Sequence, residues 1–195
     1  MGIVGVGLLL DESTTSRLIE FKKTWSHVLL GPPFGAPENA PHITLYQFPV
    51  DSTRIPPLPS RVPRERVTWG ELSWQPVDWA FALTNLDPWL INAQRYVVGQ
   101  LFDHVDRFQL EDEKKLIGYT SSERLQYLTM GYRYGGVAFK PHVTMGQLTV
   151  PLREEFLGAV RDFSNTFTGT TATCEKVILY QAGTRGSISR VLAAN

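Results

Sequence analysis

The sequence predicts an α+β chain built as two pseudo-symmetric lobes, each an antiparallel-rich sheet backed by helices, with a cleft between them. Two observations carry that expectation. The order strand, helix, strand occurs twice, over residues 3–10, 13–30 and 41–48 and again over 79–86, 87–106 and 140–149. The last member of each set repeats one pattern: Pro41-His42-Ile43-Thr44-Leu45-Tyr46-Gln47-Phe48 and Pro141-His142-Val143-Thr144-Met145-Gly146-Gln147-Leu148. Pro, His, Thr and Gln match at the same places. We therefore expect one bilobal domain over 1–195, with an internal duplication over about 1–50 and about 79–150 and an insertion at 107–139 in the second copy.

The elements follow in chain order. Ile3 to Leu10 is an apolar run and reads as a buried strand. Ser13, Thr14 or Thr15 can cap the helix that follows, on which Leu18, Phe21, Lys22, Trp25 and Leu29 recur at helical spacing. Gly31 stops it, and Pro32 to Pro37 forms a stiff loop before the strand from Pro41 to Phe48. The proline-rich stretch 51–64 is extended or loop. Val67–Trp74 and Trp79–Leu86 read as strands around a turn at Pro76. Asp87-Pro88 opens a second helix, with Leu90, Val97, Leu101 and Val105 along one face. A strand is expected from Lys140 to Val150, and Pro151 opens a third helix with Glu154 and Glu155 in its first turn. Thr171–Ala182 and Ser187–Ala193 form a closing hairpin across Gly183–Gly186.

Composition narrows the function classes. The chain has 43% hydrophobic and 19% charged residues, which argues for a packed core and against disorder. Basic and acidic residues balance at 19 each. A protein that grips a long duplex needs a basic excess to displace counterions, so a small or short anionic partner is expected instead. The single cysteine, Cys174, excludes an internal disulfide and suggests a reducing, cytoplasmic setting. The N-terminal apolar run is too short to span a membrane, and Val6 stands where a myristoylation signal wants Ser or Thr. A monomer is expected.

The repeated pattern carries the chemistry. In a strand, residues two apart point to one face, so each copy should present an imidazole and a hydroxyl together, His42 with Thr44 and His142 with Thr144. Imidazole titrates near neutrality, so one can accept a proton while the other donates one. The hydroxyls can hold negative oxygens in a transition state. One histidine in a strand is more often structural than catalytic; a matched pair is not explained that way. His27 and His104 have no such partner and read as ordinary surface or helix residues. A zinc site is the rival use of the histidines, but Cys174 and the scattered His residues make no recognisable ligand set, and no cofactor is expected.

These two segments resemble the two-histidine (2H) phosphoesterase superfamily, which includes 2′-5′ RNA ligase-like proteins and cyclic nucleotide phosphodiesterases. Its motif is His, apolar, Thr or Ser, apolar, present twice; His42-Ile43-Thr44-Leu45 and His142-Val143-Thr144-Met145 fit it. The resemblance implies catalytic roles for His42 and His142 and phosphate binding by Thr44 and Thr144. It implies a metal-independent hydrolase acting on a phosphodiester beside a ribose 2′ oxygen, first a 2′,3′-cyclic phosphate of a nucleotide, short oligonucleotide or RNA end. Hydrolysis of 2′-5′ linked oligoadenylate or of a cyclic oligonucleotide signal, reversible ligation, and plain nucleotide binding are the alternatives. The segment 51–64 and the insertion 107–139 depart from a generic member and bear on the substrate. Alternation puts Tyr46 on the face of His42 and Thr44, as a base-stacking wall or a groove filler, with open space at Gly146 opposite. In the insertion, Arg133 and Lys140 can contact phosphate, and Tyr132, Tyr134 and Phe139 can meet a base or form a glycine-hinged lid. Trp69, Trp74 and Trp79 read as core or sheet-face residues rather than a stacking platform.

Overall fold

The structure is a computed structural model that describes residues 2–35, 39–51, 53–75, 79–110, 116–148, 153–183 and 187–195. It is α+β. Among the described residues, seven antiparallel strands and four α-helices follow in the order β1 (Gly2–Leu10), α1 (Glu12–Thr24), β2 (His42–Val50), β3 (Arg66–Gln75), β4 (Trp79–Thr84), α2 (Pro88–Leu101), α3 (Ser121–Met130), β5 (His142–Gln147), α4 (Arg153–Thr166), β6 (Thr171–Ala182) and β7 (Ile188–Ala194). The strand path is β2-β1-β6-β3-β4-β5, with β7 paired to β6. β6 is the joint: Thr171–Thr173 pairs with β3, while Cys174–Gln181 pairs with β1. β2 and β5 end the path on opposite sides, yet they approach each other in space, so the sheet curls until its two terminal strands face.

The expected strands form, and the differences at the helices have physical causes. Asp11, not a following Ser or Thr, caps α1. Its Oδ1 accepts from the Thr14 amide at 2.8 Å, and its Oδ2 accepts from the Thr173 amide of β6 at 2.8 Å, so one carboxylate ties helix to sheet. α1 ends at Thr24, and turns carry the chain through Trp25 to Val28. Lys22 is buried on its inner face; its Nζ donates to the Pro32 carbonyl at 2.7 Å and lies 4.2 Å from the Phe34 ring centre. Phe21 of α1, Phe163 of α4 and Trp69 of β3 meet edge to face and fasten both helices to the sheet. Asp87 stands at the cap of α2 without a side-chain bond, and Val105 is buried beyond that helix rather than on it. The end of the loop at Ala36 and Pro37, the turn at Pro76, the end of the expected strand at Thr149 and Val150, the helix opening at Pro151 and part of the Gly183–Gly186 turn lie outside the described residues.

The stretch expected as an insertion contains a helix that the composition did not announce. Thr120 Oγ1 accepts from the Glu123 amide, and the Glu123 carboxylate accepts from the Thr120 amide, a reciprocal cap that starts α3. Gly131 ends it at φ 77°, packed against Pro49 and Val105. This glycine terminates a helix instead of supplying lid movement.

The two paired segments agree in register. Val6, Gly7, Leu8 and Leu9 of β1 face Tyr46, Thr44, Ile43 and His42 of β2. Ala80, Phe81, Ala82 and Leu83 of β4 face Gly146, Thr144, Val143 and His142 of β5. In both ladders one residue drops out of the pairing directly after the threonine, Leu45 in β2 and Met145 in β5.

Candidate active site

That shared bulge sets which side chains reach the cleft. Before it, His and Thr alternate with core residues; after it the phase slips by one. Thr44 and Gln47, three apart, are half-buried, as are Thr144 and Gln147, while Leu45 and Met145 are fully buried. Tyr46 therefore turns into the core with no exposed surface, and its hydroxyl donates to the Met130 carbonyl at the end of α3 at 2.6 Å. The expected cleft wall at Tyr46 is overturned, and Gln47 takes that face. The space expected at Gly146 is also filled: a Cβ there would stand 2.5 Å from the Leu30 carbonyl oxygen.

A cavity of about 310 Å³ lies between β2 and β5, at the small end of the range for ligand pockets. Thr44, Thr144 and His142 line it, with Gln47 beside them. His42 is not in the lining. It is 7% exposed and edge-on to Tyr180, with ring centres 4.9 Å apart. The two imidazoles nevertheless lie within electrostatic reach of each other.

Both rings are held the same way. His42 Nδ1 lies 2.9 Å from the Ala40 carbonyl, and His142 Nδ1 lies 2.6 Å from the Lys140 carbonyl, each two residues back. A carbonyl only accepts, so each Nδ1 carries the proton and each Nε2 keeps its lone pair in the neutral ring. Their surroundings differ. Phe81 stacks flat on His142 at 3.7 Å, and Tyr134 meets it edge-on at 5.2 Å. Burial pushes His142 down to about 4, helped by the charges of Lys140, His42 and Arg133 and opposed by the Lys140 carbonyl. Burial also holds His42 below the usual imidazole range, against the Ala40 carbonyl bond.

These shifts have a consequence for stability. A histidine whose folded value lies below its unfolded one, about 6.5, takes up a proton on unfolding. Its stabilising contribution is complete above about 6.5 and is lost as pH falls toward the folded value, about 4 for His142. The urea midpoint should fall between pH 7 and pH 5 and fall less in His142→Gln. A midpoint that stays flat over that interval contradicts the burial of neutral imidazoles.

The far wall comes from α3 and its flanks. Tyr132, Arg133 and Tyr134 line the cavity, and so do Tyr119 and Tyr127, which the sequence reading missed. Arg133 is fixed in place: its Nη2 donates to Glu123 at 2.9 Å, and its guanidinium lies 4.0 Å from the Tyr119 ring centre and 4.7 Å from that of Tyr134. Lys140 is outside the lining, and its carbonyl holds His142 Nδ1. Phe139 is core. Trp69 is core and Trp74 packs on Phe156, as expected, but Trp79 lines the cavity. His104 borders a separate surface groove, and His27 stacks on Trp25.

The chain matches no family model, and no curated protein matches it. The site therefore stands on its own geometry. Among the described residues, no group of three or more His, Cys, Asp or Glu side chains is placed to hold a metal ion, and no helix is long and apolar enough to cross a membrane.

Proposed function

We propose that this chain is a phosphoric diester hydrolase whose two imidazoles share acid–base work on a phosphodiester beside a ribose 2′ oxygen, first a 2′,3′-cyclic phosphate. The observation that carries this reading is the equivalence of the two His–Thr strands. They share one register and one bulge, and each Nδ1 is pinned by a carbonyl two residues back. The same equivalence supports two pseudo-symmetric lobes related by duplication, with the cleft between β2 and β5. It supports the resemblance to the 2H phosphoesterases as well.

The chemistry follows from the free Nε2 atoms. In the empty cleft both rings favour the neutral form. A bound phosphodiester brings a negative charge, which favours protonation of one of them. The neutral Nε2 takes a proton from water as the water oxygen bonds to phosphorus. The bond from phosphorus to the ribose oxygen breaks, and the protonated ring delivers its proton to that oxygen. Thr44 and Thr144 donate to the non-bridging oxygens, where charge accumulates. The aromatic wall and Arg133 contact the nucleoside or its far phosphate. The partner is a nucleotide, a short oligonucleotide or an RNA end, met by a monomer in the cytoplasm. The single unpaired Cys174, buried in the core, suits that compartment.

Incubation with 2′,3′-cyclic nucleotides, 2′-5′ dinucleotides and cyclic dinucleotides, with products separated by chromatography, tests the reading. Turnover of the 2′,3′-cyclic phosphates, undiminished by a chelator, is expected. Tight binding without turnover of any of them would leave a nucleotide-binding protein instead. Loss on chelation restored by zinc or manganese would make the reaction metal-dependent. Within the series, Thr44→Val plus Thr144→Val keeps shape and removes both donors. Turnover should fall by about a hundredfold, and unchanged kinetics would make both hydroxyls structural.

A further inference from the structure

The two halves of the cleft differ in what stands behind the threonine. Tyr180 of β6 is 1% exposed, and its hydroxyl lies 3.0 Å from Thr44 Oγ1. No described residue bonds the Thr144 hydroxyl, and Phe81, which pairs with Thr144 and stacks on His142, carries no hydroxyl. Space for Tyr180 is cut into β1. Gly5 pairs directly with Tyr180, and a Cβ on it would stand 2.4 Å from Tyr180 Cζ. A Cβ on Gly7 would stand 3.2 Å from His42 Cδ2 and 3.3 Å from Tyr180 Cε1. The two glycines leave one slot that seats the phenol and the imidazole together.

At this distance either hydroxyl can donate, and burial of the phenol favours Tyr180 as the donor. A buried phenol must place its proton on an acceptor, and Thr44 Oγ1 is the acceptor within reach of Tyr180. Burial pushes the Tyr180 hydroxyl up to about 12, so it holds its proton at neutral pH. Thr44 thus receives a bond from behind, and its own proton is directed forward, into the cavity that Thr44 lines. A hydroxyl that accepts one bond is also polarised into a better donor.

We propose that Tyr180 is a positioning residue that orients the Thr44 hydroxyl toward the phosphoryl oxygen, making Thr44 the stronger of the two threonine donors. This rests on the phosphodiesterase reading above. It implies a division of labour that the matching His–Thr strands conceal: one threonine is oriented by its partner, and the other has no such partner among the described residues.

A double-mutant cycle on a 2′,3′-cyclic nucleotide tests it with Tyr180→Phe, Thr44→Val and the pair. Tyr180→Phe removes one oxygen and keeps the ring that packs on His42. It should lower kcat about three- to tenfold, with KM little changed. In the Thr44→Val background it should do nothing further, because the group it orients is gone. A Tyr180 hydroxyl that acts independently of Thr44 would give the opposite pattern, with the two losses multiplying, and that result overturns the proposal. Normal turnover in Tyr180→Phe overturns it too, as does a Thr44→Val variant as active as wild type. Urea midpoints of the three variants identify any loss due to unfolding, and a loss of Tyr180→Phe activity matched by its unfolded fraction counts against the proposal. Failure of the phosphodiesterase reading looks different: wild type then turns over none of the diesters, and the proposal falls with it.

Discussion

Replacing either His42 or His142 by alanine should lower turnover of a 2′,3′-cyclic phosphate by about a hundredfold or more. Each ring is fixed by its Nδ1 bond to a backbone carbonyl, so each offers one Nε2 to the reaction. The other described imidazoles lie elsewhere: His104 borders a different groove and His27 stacks on Trp25. Neither role can be taken over from within the site. Acid and base act in one step, so the double variant should be little worse than the poorer single one. Steady-state kinetics at saturating substrate, beside circular dichroism of each variant, reads the effect. A folded single variant that retains turnover within a factor of about three of wild type would end the paired mechanism.

Gly146→Ala should be strongly destabilising. Its Cβ would lie 2.5 Å from the Leu30 carbonyl oxygen and 2.8 Å from the Leu29 carbonyl carbon, and the residue stands at φ 154°. That oxygen cannot withdraw freely. It accepts from the Gln147 amide at 2.8 Å, and the Leu30 amide donates back to the Gln147 carbonyl at 2.9 Å. Relief of the clash therefore breaks a bridge that holds the segment after α1 against β5. The expected cost is about 3 kcal/mol or more, out of a total near 5–15 kcal/mol for an ordinary domain. Gly99→Ala is the matched control. Gly99 lies within α2, nothing stands within 4 Å of its added Cβ, and alanine there should stabilise by about 0.5–1 kcal/mol. Urea denaturation compares the two. Equal midpoints for Gly146→Ala and wild type would show that the bridge is not under steric control.

The strands and the His–Thr positions were legible because alternation and repetition are written in residue types. Thr44, His142 and Thr144 line one cavity from matching strands, His42 stands outside that lining, and the apolar residues between them build the core. Tyr46 was misplaced for a definite reason. A bulge adds a residue to one strand without needing a particular side chain, so Leu45 and Met145 look like ordinary alternation while shifting the phase behind them. The matched pair Gln47 and Gln147 was visible and could have prompted the question of which face they occupy. α3 was legible as well: Thr120 and Glu123 have the spacing of a reciprocal cap, and Gly131 has the place of a terminator, but the glycines and tyrosines around them suggested a loop. Tyr180 was out of reach. Its contact with Thr44 spans 136 positions, and only the sheet order brings β6 beside β1.

That sheet order also orders events in time. β6 follows β1 to β5 along the chain, and among the described strands it is the one that pairs with both the β1–β2 ladder and the β3–β4–β5 ladder. Before residues 171–182 are laid down, each ladder has an unsatisfied edge, and the two histidines belong to separate pieces. The join requires loops to close over most of the chain, a slow class of event. Competence should therefore emerge in the last stage of folding. In refolding from urea, recovery of turnover should trail or coincide with the burial of Trp69, which lies at the β3 side of that junction, and should never precede it.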